Sequence, residues 1–148
     1  MKVIVDANIV FSGILNSNGK IGDLLINSQK HFDFIAPDFL RTEIHKHYPR
    51  LSKISGMTVE QVREAEFQIC KDIAFISEEQ IKASIWLAAE KLVADIDPKD
   101  THYIAYSKHF RCKIWSGDKQ LIKGLAKKGF ANFISTDELF SLRQQYFA

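Results

Sequence analysis

Apolar positions along this chain follow two rhythms. Short runs at 2–5 (KVIV), 32–36 (FDFIA), 112–115 (CKIW) and 131–134 (ANFI) are rich in β-branched and aromatic residues and read as strands. The first is covered on both faces, because its apolar residues do not alternate with polar ones. A further short strand is expected at 74–76. Between the strands, apolar residues return at helical spacing. Ile21, Leu24 and Leu25 mark a helix over 21–29 after a loop at Ser17-Asn18-Gly19. Pro37 suits the first position of a helix over 38–48, which places Phe39, Leu40, Glu43, Ile44 and His47 on overlapping faces. Thr58 and Gln61 form a capping box that opens a helix to about residue 72, and Ser77-Glu78-Glu79-Gln80 repeats the device before Ile81, Ile85, Leu87, Ala88 and Leu92. Helices are also expected at 98–110, at 118–128 (basic and amphipathic), and after the cap Ser135-Thr136-Asp137-Glu138.

Strands alternating with helices over short connections predict an α/β fold, a three-layer α/β/α sandwich around a mostly parallel sheet. The helical pair from Thr58 to Val93 looks inserted, a hairpin or arm on the sheet edge. There are no repeats, linkers or low-complexity tracts, and 148 residues suit a single domain over 1–148 with a core of its own.

Composition adds little to this and excludes several classes. Hydrophobic residues make up 46% and charged residues 26%, which argues against disorder. A net charge of +2 is a mild basic bias, compatible with an anionic substrate without demanding one. No apolar run approaches a membrane span. Met1-Lys2 would suit a signal peptide, but Asp6 and Asn8 interrupt the apolar stretch and no small-residue cleavage site follows, so the expected location is the cytoplasm. Cys70 and Cys112 have no metal-like spacing and read as buried thiols in a reducing compartment. No Gly-rich phosphate loop is present.

Carboxylates carry the chemistry. In open parallel sheets, function gathers at the carboxyl ends of strands, and there Asp6 follows VIV and Asp118 follows IW through Ser116-Gly117. Asp100 lies in the first turn of a helix, and Glu43 lies mid-helix near an apolar face. Each has a plainer reading: Asp97, Pro98 and Asp100 as N-cap, N1 and N3 of one helix, Asp118 as another N-cap, Glu43 as a solvated side chain. Asp6 resists one, because a carboxylate ending a buried strand needs a partner. Taken together, converging carboxylates repel unless a divalent cation neutralises them, and oxygen-only ligands favour Mg2+ or Mn2+. Such a centre suits metal-assisted phosphodiester hydrolysis.

The stretches VDANIVFSGIL, APDFLRTEI around Glu43, DPKDTHYIAYS around Asp100 and IWSGDKQL around Asp118 resemble, in order and spacing, the PIN-domain ribonucleases, and among them the VapC-like toxins of bacterial toxin–antitoxin systems. The resemblance spans almost the whole chain. It implies a metal-dependent, single-strand-preferring RNA endonuclease that leaves a 5′-phosphate and a 3′-hydroxyl. It places the catalytic acids at Asp6, Glu43, Asp100 and Asp118, with Asp6, Asp100 and Asp118 as metal ligands and Asp97 as an additional acid found in part of the family. Asn8 and Ser116 would support them, Ser116 standing where the family more often has Thr. The resemblance also implies a small antitoxin partner and a homodimer. The alternative is a PIN-fold module that binds RNA or protein without cutting.

Basic and aromatic residues give weaker signals for an RNA path. Lys119, Lys123 and Lys127 recur along one helical face, and Tyr48 and Arg50 form a second patch suited to base stacking and phosphate pairing, although solvated faces and helix ends attract the same residues. His102 reads as structural or exposed, and Trp86 and Trp115 as core.

Overall fold

The computed structural model describes residues 1–147, with a central sheet of five parallel strands: β1 (Lys2–Val5), β2 (Asp33–Pro37), β3 (Ala74–Ile76), β4 (Lys113–Trp115) and β5 (Phe133–Ile134). Their order across the sheet is β3-β2-β1-β4-β5. The register pairs Ile4 with Ile35 on one side and with Ile114 on the other. β1 is therefore central, and Val3, Ile4 and Val5 are fully enclosed. Each of these side chains contributes roughly 1.5–3 kcal/mol by burial.

Alternation along the strands divides the core in two. Val3, Val5, Phe34, Ala36 and Trp115 face one apolar cluster, while Ile4, Ile35 and Ile114 face the other. The first face is covered by α1 (Ala7–Leu15), α2 (Lys20–Asn27), α3 (Phe39–Lys46), α4 (Tyr48–Ser55), α5 (Val59–Cys70) and the start of α9 (Thr136–Phe147); the second by α6 (Ala83–Val93), α7 (Thr101–Phe110) and α8 (Lys119–Ala126). The result is the three-layer sandwich the strand and helix pattern implied.

Several local expectations are corrected. A helix, α1, begins directly after Asp6; its buried face is Ile9, Val10, Gly13 and Ile14, an i, i+1, i+4, i+5 pattern masked by the apolar run before it. Pro37 ends β2 and does not start a helix. The helix expected over 38–48 breaks at His47, whose ψ of 7° leaves the helical range, and Pro49 in the first turn of α4 favours a new start. Gly56, with φ of +76°, closes α4 in the left-handed conformation glycine adopts without strain. The capping box at Thr58 forms in full, but Ser77 caps only a short 3-10 turn, Glu78–Gln80, and Ile81 and Lys82 are extended before α6 begins. The segment from Thr58 to Val93 is not a hairpin or arm. β3 joins the sheet between its two helices, and α5 and α6 pack on opposite faces, because Val62 and Ile69 enter one core and Ala89 and Val93 the other. Cys70 and Cys112 are free and buried, and burial raises their thiol pKa values to about 12 and about 11. Among the described residues no helix is long and apolar enough to cross a membrane.

Candidate active site

The sheet order reverses between β1 and β4, and a crevice forms where strands leading to opposite faces diverge. Both strands deliver an acid there. Asp6 follows Val5, its backbone N–H bonded across to the Trp115 carbonyl at 3.3 Å. Its extended conformation (φ −85°, ψ 166°) makes it the N-cap of α1, and Oδ1 accepts the Ile9 N–H at 3.1 Å. Asp6 is 7% exposed. Burial drives its pKa up; bonds from the Ser116 hydroxyl and from the Ile9 and Asn8 backbone oppose this, and the Asp118 charge adds to the rise. Ser116, also buried, links the two strands: its hydroxyl serves Asp6 and accepts the Asp118 N–H at 3.1 Å. Asp118 in turn is the N-cap of α8, with Oδ1 accepting the Leu121 N–H at 3.1 Å.

Two further acids arrive from the turn before α7. Asp97 caps the 3-10 turn Pro98–Asp100 by accepting the Lys99 N–H at 3.0 Å, and it is exposed. Asp100 accepts no capping bond. Its carboxyl is pushed up to about 7, first by burial and then by the charges of Asp97, Asp118 and Asp6. A carboxylate responds in this way when it is packed among like charges without a cation.

Glu43, on α3, stands further off, with its carboxylate 3.6 Å from His47 Nε2. Its charge reaches His102 and the buried Tyr103. Tyr103 is a component the sequence gave no reason to single out, since it reads as a core aromatic of α7. Burial raises its phenol pKa, and Asp6, Asp100 and Glu43 raise it further. The Ala7 backbone N–H is directed at the phenol oxygen, yet no bond of normal geometry forms and the hydroxyl is sealed from solvent without a partner. Tyr103 thus lies within electrostatic range of Glu43 as well as of Asp6 and Asp100.

The remaining candidates fall differently. Asn8 is exposed; its side chain and that of Arg50 line one groove between α1 and α4. Lys119 and Lys123 are exposed on α8 and make no ion pair among the described residues, whereas Lys128 bonds the Leu92 carbonyl and Asp95. Tyr48 is half-buried and takes part in the packing of α4: its hydroxyl bonds both oxygens of Glu66 at 2.9 and 3.0 Å, burial and that carboxylate raise its pKa to about 12, and its ring packs on the core. Trp115 is core as expected, its N–H donated to Thr136, but Trp86 is only half buried and lines an open pocket. His102 is held toward its neutral form by burial, against the pull of Glu78 at 3.3 Å.

A PIN-domain family model matches residues 4–139. The chain belongs to the PIN-domain family. Two solved structures share the fold of this PIN domain at low identity. VapBC2 from Rickettsia felis, bound to a DNA fragment from its promoter, matches with a TM-score of 0.63 and 14% identity over 91% of this chain and 97% of that one. A PilT N-terminus domain protein from the hyperthermophilic archaeon Sulfolobus solfataricus P2 matches with a TM-score of 0.50 and 12% identity over 97% and 93% of the two chains. No curated protein matches the sequence.

The donor set of this PIN domain fits a divalent cation in chemistry and charge: hard carboxylate oxygens, in mutual electrostatic range, one of them displaced to about 7 by burial and by its acidic neighbours. The acids are spaced more loosely than in a finished coordination shell. Among the described residues no three carboxylate, imidazole or thiolate groups stand close enough to hold an ion as they are.

Proposed function

We propose that this chain is a single PIN domain over residues 1–148 acting as a Mg2+- or Mn2+-dependent endoribonuclease on single-stranded RNA, and that it is the toxin of a toxin–antitoxin pair. The observation that carries the reading is the displaced carboxyl of Asp100 beside Asp97, Asp118 and Asp6 at the carboxyl ends of β1 and β4. Asp6, Asp100 and Asp118 would hold the cation, with Asp97 at the solvent side. The bound ion would polarise a phosphoryl oxygen and lower the pKa of a water ligand. The chain's own residues do the rest. Ser116 holds Asp6 and the turn of Asp118 in one frame. Asn8 extends from the first turn of α1 toward the groove shared with Arg50, where a phosphate could pair. Glu43, within electrostatic range of Tyr103, would take a proton from an attacking water. Lys119 and Lys123 supply positive charge along the approach.

The fold shared with VapBC2 supports an antitoxin partner here. Exposed Ile54, Phe67 and Leu87 are apolar enough to be covered by such a partner or by a second copy in a homodimer. We place the protein in the cytoplasm.

The test is cleavage of single-stranded RNA in Mn2+ or Mg2+, compared with Asp118→Asn. Loss of cleavage in the variant supports the reading, and equal activity removes the metal-site assignment. The loose spacing of the acids favours one competing reading, a PIN-fold module that binds without cutting. Titration of Mn2+ into the purified protein decides between them: affinity confined to the millimolar range or weaker selects the non-cutting module.

A further inference from the structure

Aromatic rings continue along the carboxyl edge of the sheet beside the acids. Phe39, the first residue of α3, stacks on His102 of α7 with centroids 4.2 Å apart and planes inclined by 12°. Trp86 of α6 meets the same imidazole edge-on at 4.8 Å and 87°. The three rings, with Pro98, line a largely apolar pocket of about 560 Å3 whose lining also includes Lys99. Pro98 and Lys99 belong to the same short turn as Asp100, so the pocket begins where the acid cluster ends. Lys99 is exposed and makes no ion pair among the described residues.

We propose that this pocket receives a nucleobase of the RNA strand whose backbone crosses the acid site, stacked against Trp86, with Lys99 beside the phosphate of the same nucleotide. The inference rests on the nuclease reading and adds to it the position of a flanking base. Every base offers a π-face to such a platform, which grips a single strand without demanding a sequence. A pocket bounded by an aromatic wall and, on the turn shared with Asp100, by the Lys99 cation matches a nucleotide in both its parts, with the base turned toward Trp86 and Glu90 of α6 and the phosphate toward Lys99. Sharing a turn with Asp100 favours a base over a side chain of a protein partner.

Trp86 provides its own reporter, because the other tryptophan, Trp115, is completely enclosed. The experiment adds adenosine 5′-monophosphate, ribose 5-phosphate or a short oligo(A) RNA to the intact protein in Ca2+, following tryptophan fluorescence, and measures RNA cleavage in Mn2+ on the same preparations. The expected result is quenching by the nucleotide and the RNA but not by the sugar phosphate, with RNA affinity of Trp86→Leu about 5- to 100-fold weaker. Unchanged RNA affinity in Trp86→Leu, with cleavage by the native protein intact, overturns the pocket and leaves the nuclease standing. Failure of the native protein to bind or cleave any RNA overturns both. Quenching by an amphipathic helical peptide and not by the nucleotide overturns the proposal in favour of a protein-docking site. Because the nucleotide titration uses the unmodified chain, it decides the question even where Trp86→Leu folds poorly.

Discussion

Replacing Asp100 by Asn tests whether burial and the neighbouring acids together penalise its ionised form. The side chain caps no helix, so an isosteric amide removes charge without removing a bond. The carboxyl sits at about 7 in the fold against an ordinary value of 3.8. The sign follows from proton counting. Below pH 4 both folded and unfolded chains carry the proton and the group contributes nothing. Between pH 4 and 7 the unfolded chain ionises first, so stability falls as pH rises, and above pH 7 the full penalty stands. At 1.36 kcal/mol per pH unit the displacement caps that penalty at about 4 kcal/mol. Water reaches the half-buried group and screens the charges, which reduces it to about 1–2 kcal/mol. Asp100→Asn in EDTA should therefore match the native protein in urea unfolding at pH 4 and exceed it by about 1–2 kcal/mol at pH 8, roughly 2–8 °C in Tm for a chain of this size. Mn2+ at pH 8 should then raise the Tm of the native protein more than that of the variant. A variant no more stable than the native protein at pH 8, or more stable by the same amount at both pH values, would refute a penalty on ionised Asp100 from burial and its acidic neighbours.

Other substitutions probe single contacts. Asp6→Ala removes the cap of α1 and the Ser116 bond; at pH 5, where Asp100 is mostly neutral and repulsion is least, it should cost about 1–2 kcal/mol in urea unfolding, and a stabilised variant would show that desolvation of Asp6 outweighs its bonds. Tyr103→Phe deletes a sealed hydroxyl without a partner, so a gain of about 1 kcal/mol is expected, and a loss of that size would reveal a bond to a neighbouring acid. Tyr48→Phe frees Glu66 and should cost about 1 kcal/mol while leaving RNA affinity unchanged; weakened RNA binding at unchanged stability would return Tyr48 to the substrate path.

What could be read from the sequence was what local chemistry encodes. The strands were legible because runs such as VIV are too short and too β-branched for anything else, and three of the four expected catalytic acids were legible because they stand where strands or turns end. The helix after Asp6 was not, since its buried face shares an unbroken apolar stretch with the strand before it; missing that helix also hid the cap that gives Asp6 its partner. The split at His47 follows from backbone angles that a helical apolar period continues across. The supposed arm was misread because β3 is three residues long and only tertiary pairing with β2 makes it a strand. Tyr103 and Trp86 were beyond reach for a common reason. An aromatic at helical spacing reads as core whether its edge meets a carboxylate, a pocket or another side chain.

The caps explain why the acids sit near one another yet fall short of a coordination shell. Asp6 and Asp118 each give one oxygen to the first turn of a helix, and Asp97 does the same for the turn before α7. A helix N-terminus carries roughly half a positive charge, with N–H groups aimed at the cap, so α1 and α8 supply at the carboxyl edge of the sheet part of the compensation that a cation would complete. Those bonds also fix where the capping carboxylates stand, which lets the edge hold several negative charges before any ion arrives. Asp100 alone among the four aspartates accepts no such bond, and its carboxyl is displaced to about 7 by burial and the other three; Asp6, although capped, is raised as well by its deeper burial. The unmet charge of the site therefore rests on the deeply buried Asp6 and the uncapped Asp100, and these two side chains have the most to gain from a cation.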